Sequence, residues 1–299
     1  MSDVPQIFDK VQGGRQLLRA LRGVPALFLL ERAAEDLGER MSPVLRDFSS
    51  VLDFGTPGPQ AAAVLRQRKG AGLVSRYIEH DCLREGNSDQ SGSLELPMLD
   101  PSHYDCVVSL LALQTINDLP GVLMQMRRSL KPDGLFIAAM IGGETLKELR
   151  AALLDAEVEL TGGASPRVAP FADVRSLGQL LQRAGFALPV ADSEVLNVRY
   201  ASPIRLMHDL RAMGATNSLV MRSRKPLRRD VLFRALELYT ERYADPDGKV
   251  RATFEIIWLT GWTPHESQQK PLKPGSAKTR LSDALKAVEQ SAGEKVRDE

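Results

Sequence analysis

Histidine, cysteine and long apolar runs are all scarce in this chain, and each scarcity removes a class of function. The four histidines (His80, His103, His208, His265) are scattered along 299 residues, so the sequence shows no metal-ligand cluster. The two cysteines, Cys82 and Cys106, lack CxxC spacing; free thiols in a reducing compartment are the simple expectation. No apolar run reaches the length of a membrane span. The opening residues, MSDVPQIFDK, show neither an apolar core nor an Arg/Ser-rich presequence, so a cytoplasmic location is expected. A net charge of +1 gives no global pull toward nucleic acid or membrane, and no nucleic-acid partner is expected.

Hydrophobic residues make up 43% of the chain and charged residues 26%, enough to build a sizeable core in a globular protein. From Gln12 to Met41 the pattern is helical, with Leu27, Leu30, Ala34 and Leu37 on one stripe. From Ser50 to Gly143 strand and helix patterns alternate. SSVLDF, AGLVSRYIE, YDCVVSLLAL and LFIAAMIGG read as strands; PQAAAVLRQRKG and DLPGVLMQMRRSL read as helices, and KPDG as a turn. The run from His80 to His103 is polar and reads as loop. Alternation of this kind predicts an α/β fold with a mostly parallel sheet.

Further on, ETLKELRAALLDAEVEL and DVRSLGQLLQRAGF are helical, the second with Gly185 as its stop. ALPVADSEVLNVRY and VRATFEIIWLTGW are strands able to pair as an antiparallel hairpin, with two helices, PIRLMHDLRAMG and RRDVLFRALELYTERY, between them. The expected organisation is a helical cap over 1–48, an α/β domain over 49–267 with a helical insertion over 201–249, and a polar tail over 268–299.

The segment SSVLDFGTPGP is where such a domain would meet a nucleotide-type cofactor. A strand ends in an acid, Asp53, a glycine turn follows, and a helix begins. Asp53 also admits a plainer reading as an Asx-type residue capping the turn. Pro57 and Pro59 remove two backbone donors and disfavour helical geometry at Thr56 and Gly58, while Pro59 suits the first turn of a helix.

The elements resemble a class I S-adenosylmethionine (AdoMet) methyltransferase. The segments INDLPGVLMQMRRSLKPDGLFIAAMIGGETLKELR, MGATNSL, RRDVL and GWTPHESQQKPLKPGSA, with IFD near the start, narrow the likeness. They resemble the methyltransferase-like assembly factors of respiratory complex I (assembly factor 5 type), which are related to the malonyl-carrier-protein methyltransferase of biotin synthesis. The resemblance implies an AdoMet-type fold and AdoMet as cofactor, while the helical stripe near the start reads as an N-terminal cap. It also implies a protein client among the complex I subunits. A mitochondrial member of the family is thought to hydroxylate an arginine of such a subunit.

Carried onto this chain, the family's acid and first glycine fall on Asp53 and Gly55, and its second and third glycines on Pro57 and Pro59. Gly58, out of that register, is the remaining glycine of the loop. Glu79, with Asp81 behind it, stands for the acid that takes the ribose hydroxyls, and Glu95 for the acid beside the adenine. Asp53, Gly55, Gly58 and Glu79 are thus the candidate cofactor-binding residues; no catalytic residue and no metal ligand is assigned. Gln114-Thr115 replaces the family's His-Trp. With two prolines in the loop, three readings stay open: a methyltransferase, a pseudoenzyme scaffold of the same fold, and a hydroxylase of a client arginine.

Three other stretches hold chemistry-bearing residues. Gly142-Gly143 precedes Thr145 and Glu148, which have capping-box spacing, and Arg150 could orient a carboxylate. His265-Glu266 could do acid–base work or simply end a strand. The run from Arg222 to Arg229 is strongly basic and could meet an acidic partner or an anionic membrane surface.

Overall fold

Residues 5–79 and 89–269 are described in the computed structural model of the chain. The N-terminal helical stretch is two helices, α1 (Lys10–Arg22) and α2 (Phe28–Met41). Gly23 and Pro25 interrupt what the periodicity reads as one run, because proline supplies no N–H and restricts the residue before it. Asp9 starts α1 by accepting from the Gln12 amide at 3.0 Å, an N-cap.

Seven strands form one sheet: β1 (Phe48–Phe54), β2 (Ala71–Glu79), β3 (Asp89–Gly92), β4 (Tyr104–Leu110), β5 (Leu130–Ile141), β6 (Ala187–Tyr200) and β7 (Val250–Trp262). Their spatial order is β3-β2-β1-β4-β5-β7-β6. The first five are parallel, β7 runs antiparallel to β5, and β6 antiparallel to β7. This is the predicted mostly parallel α/β sheet with an antiparallel C-terminal pair. Two details differ. β3 lies inside a stretch read as loop, because DQSG has no apolar alternation; only its pairing with β2, from Arg76↔Asp89 to Glu79↔Gly92, makes it a strand. KPDG lies within β5, as an irregularity where the partner of β4 steps from Leu130 to Leu135 and Asp133 takes φ +59°.

Helices α3 (Gln60–Gln67), α4 (Leu119–Ser129), α5 (Lys147–Thr161) and α6 (Val174–Arg183) cover the sheet, and α7 (Pro203–Ala212) and α8 (Arg229–Tyr243) form the insertion between β6 and β7. Neighbouring strand residues go to opposite faces. Leu52, Val107, Phe136 and Ile257 pack on one side with residues of α4 and α6. Val51, Val108, Ile137 and Trp258 pack on the other with α2 and α3. A third cluster joins Ala156 of α5 to Leu206, Tyr239 and Phe254 beneath the insertion. Burial on both faces explains why the central strands read as unbroken apolar runs. Cys106 is a free thiol at the sheet centre, pushed up in pKa first by burial. The chain divides after His265. Most of the expected tail, and Cys82 and Asp81, lie outside the described residues.

Candidate functional site

In open parallel sheets ligands bind beyond the carboxyl ends of the strands, and here Asp53 and Gly55 sit at that edge. Gly55 follows β1 with φ +73° and donates its amide to Tyr77 O at 2.7 Å. A Cβ on Gly55 would lie 3.0 Å from both Ala112 Cβ and Leu94 Cδ1, so both conformation and crowding require glycine. The buried Thr56 accepts the Leu110 amide on its Oγ1 at 3.1 Å, tying the turn to the end of β4.

Asp53 is level with Arg76 of β2 in the parallel register. Arg76 Nε lies 3.4 Å from Asp53 Oδ2, with the two side chains 5% and 0% exposed. Arg76 Nη2 donates to Thr56 O at 3.3 Å and Gly58 O at 2.9 Å. Gly58 therefore contributes an acceptor, and that acceptor serves an arginine. The next residue, Pro59, precedes α3 with φ −82° and ψ −1°, and no side chain caps this helix.

Glu79 ends β2 opposite Gly92. Because Phe54 pairs with Tyr77, the residue level with Gly55 is Ile78, which is buried. Glu95 is not directed to a ligand. Its carboxylate accepts from Asn117 N at 2.8 Å, Asn117 Nδ2 at 3.1 Å and Asp118 N at 3.2 Å, and stands 3.4 Å from Lys10 Nζ. It braces the turn between β4 and α4. Gln114-Thr115 forms a short 3-10 turn there, with Thr115 O accepting from Lys10 Nζ.

Asn117 was not singled out by sequence, yet it is the hub of this edge. Its Oδ1 accepts from Ile7 N and Phe8 N, both at 2.8 Å, and its Nδ2 donates to Phe8 O at 3.1 Å. Partners more than 100 residues away leave no local signature. The same N-terminal strap reaches the insertion: Phe8 bridges Leu219, Asp9 N donates to Ser218 O and Val220 N to Ile7 O. Arg222 Nη2 donates to Asp9 Oδ2 at 2.9 Å. The Gln12 amide, then Arg222, hold the Asp9 carboxyl below its ordinary pKa.

The second glycine turn is also committed internally. Gly142 N donates to Glu255 O. Thr145 Oγ1 accepts from Glu255 N at 2.9 Å, and Glu148 accepts from Thr253 N at 3.1 Å. Both residues serve β7 rather than forming a capping box; the residue at the helix start, Leu146, has φ +56°. Arg150 donates to Gly143 O, Thr145 O and Ala169 O at 3.3–3.4 Å, so it orders a loop instead of holding a carboxylate. His265 follows Trp262, which pairs with Leu135 near the start of the parallel part of β5, at the opposite edge from Asp53.

The methyltransferase domain model matches residues 28–189. The mitochondrial arginine-hydroxylase NDUFAF5 of Danio rerio is 37% identical over 265 residues, spanning 87% of this chain and 82% of that protein. Its Homo sapiens counterpart is 37% identical over 261 residues, spanning 84% and 74%. The chain belongs to the class I methyltransferase family. The malonyl-[acyl-carrier protein] O-methyltransferase of Halorhodospira halophila is 35% identical to this methyltransferase-family chain over 245 residues, spanning 78% and 81%. A solved methyltransferase-type structure from Bacillus halodurans C-125 matches the fold with TM-score 0.52 at 12% identity, covering 77% of this chain and 98% of that one.

The family implies AdoMet, which brings a sulfonium, an ammonium, a carboxylate and a ribose diol. The turn of this class I methyltransferase does not fit it. Asp53 is matched by Arg76, the Thr56 and Gly58 carbonyls are taken, and Leu94 and Ala112 cover Gly55. No reaction step is assigned to AdoMet at this turn.

Proposed function

We propose that this methyltransferase-family chain acts on a protein client during assembly of respiratory complex I, and that the residue it addresses is an arginine. The carrying observation is where the family-type segments meet. IFD and MGATNSL, 200 residues apart in sequence, join at the Phe8–Leu219 bridge. They build the rim of the sheet's carboxyl edge, while the cofactor turn is the part that has diverged. Ile7, Leu96, Met98 and Met221 are exposed apolar residues on segments of this rim, as suits a surface that meets protein. The likeness to proteins named arginine-hydroxylase, over most of their length, supports an arginine as the target.

A cytoplasmic location facing the membrane goes with this reading. Among the described residues no helix is long and apolar enough to cross a membrane. Arg224, Lys225 and Arg229 are exposed and are proposed to meet an anionic membrane surface. Arg222 is bound to Asp9 and Arg228 to Asp230, and Arg224 stands 3.9 Å from the same Asp9 carboxylate while its side chain stays 69% exposed.

Deletion of the gene tests the reading. Assembled complex I is expected to fall, with loss of an oxygen-atom mass from one client arginine, that oxygen coming from dioxygen whose second atom leaves as water with two electrons from a reductant outside this chain. Unchanged complex I sinks the proposal. A second reading, favoured by the closed cofactor turn, is that the fold holds its client without modifying it. Lost complex I with unchanged client masses selects that reading, and loss of a methylene mass restores a methyltransferase.

A further inference from the structure

We infer that β2 supplies an internal occupant for the cofactor turn: Arg76 fastens the segment from Asp53 to Gly58 shut, and this chain takes no AdoMet there. The inference is independent of the identity of any client.

Three separate parts of the edge converge on this. First, the acid at the end of β1 is spent. Arg76, itself only 4% exposed, lies 3.4 Å from Asp53, so the negative charge that would face a cationic ligand is already balanced in a buried setting. A sulfonium and an ammonium would arrive beside a guanidinium of the same sign, where little water screens the repulsion. Second, the turn has two fewer donors than its length allows, and its carbonyls are engaged. A ligand carboxylate needs N–H groups, but Pro57 and Pro59 have none. The Thr56 and Gly58 carbonyls meet the guanidinium, a group with five donors and no acceptor. Third, the approach to Gly55 is filled. Leu94 and Ala112 come so near that even a methyl group would stand 3.0 Å from each, and Leu94 is buried with Phe54, Tyr77, Leu113 and Ile116.

Arg76 is a positioning residue in this account. It substitutes fixed hydrogen bonds and charge for those a ligand would make, and so keeps the strand–turn–helix geometry without one. The rim built by the N-terminal strap and the insertion then stands on a turn whose shape needs no cofactor.

Isothermal titration of the full-length chain with AdoMet and with S-adenosylhomocysteine, together with hydrogen exchange of residues 53–58, tests this. No saturable heat at millimolar ligand is expected, and no adenosine absorbance released on denaturing the purified protein. Exchange in the turn should be slow without ligand and unchanged by AdoMet. In Arg76→Lys, which keeps the charge but loses the fork, the turn should exchange at least tenfold faster while β7 does not. Saturable AdoMet binding that Asp53→Ala abolishes overturns the inference, as does fast exchange in the unliganded wild type that AdoMet slows. Both wild-type measurements stand even if a variant fails to fold.

Discussion

Arg76 and Asp53 face each other from neighbouring parallel strands at matched register, with Nε 3.4 Å from Oδ2 and neither side chain more than 5% exposed. The pair sits beneath the one turn that a class I methyltransferase ordinarily reserves for its cofactor. Truncating one partner leaves a buried charge alone, which typically costs about 3–5 kcal/mol. Arg76→Met is therefore expected to lower stability by about that much in urea unfolding. Adding Asp53→Asn should return most of the loss, since neighbours in one network are not additive. A purely additive double variant would deny the coupling.

Gly55 and Gly58 should respond differently to alanine. Gly55 needs positive φ and has Leu94 and Ala112 at 3.0 Å from the Cβ position, so Gly55→Ala is expected to cost about 1–3 kcal/mol. At Gly58 the atom in the way is the end of the Gln60 side chain, which can swing aside. Thermal melts should place Gly58→Ala much nearer wild type; equal losses would contradict this geometry.

Asp9 gives the strap a pH dependence of known sign. Its folded pKa is lowered, chiefly by the Gln12 amide and then by Arg222. The stabilisation is complete above the ordinary carboxylate value of about 3.9 and is lost as pH falls through the lower folded value. The stability gap between wild type and Asp9→Asn should be constant near neutrality and shrink below about pH 4. A gap unchanged down to pH 2 would mean that Asp9 is not the titrating clasp.

Thr145 should behave as a sheet residue. Thr145→Val removes the acceptor of the Glu255 amide, a buried loss of about 1–3 kcal/mol. Hydrogen exchange should quicken around Glu255 and leave the first turn of α5 unchanged. Fraying of α5 instead would reinstate Thr145 as a cap.

The proposed membrane contact rests on three exposed cations. Reversing Arg224, Lys225 and Arg229 to glutamate is expected to reduce cosedimentation with vesicles containing phosphatidylserine, by about 1 kcal/mol per cation removed, and to leave neutral vesicles unaffected. Reversing Arg228 alone, already held by Asp230, should do less. Wild type that ignores anionic vesicles would retire the contact.

Asp53, Gly55 and the strand–turn–helix around them were legible because the signal is local: an apolar strand, an acid and a glycine in six residues. The closing arginine was less visible, although AGLVSRYIE does carry a warning. A charged residue in the middle of a buried strand needs a partner, and Asp53 is the acid on the adjacent strand. Thr145 and Glu148 matched a helix cap by spacing alone, and that spacing could not foresee that β7 would come within reach of both. For Asn117, with partners at Ile7 and Phe8, no local rule applies.

The sequence by itself determined the alternation of elements, the parallel sheet with its antiparallel pair, and the family, because apolar periodicity and turn chemistry act over a few residues. Only the tertiary structure decided what the acid and glycines of the turn do. Register between β1 and β2 brings Arg76 to Asp53, and chain segments far apart bring Leu94 and Ala112 onto Gly55. The meaning of those groups depends on which charges and carbonyls fall within about 3 Å, a distance set by packing across the sheet rather than by position along the chain.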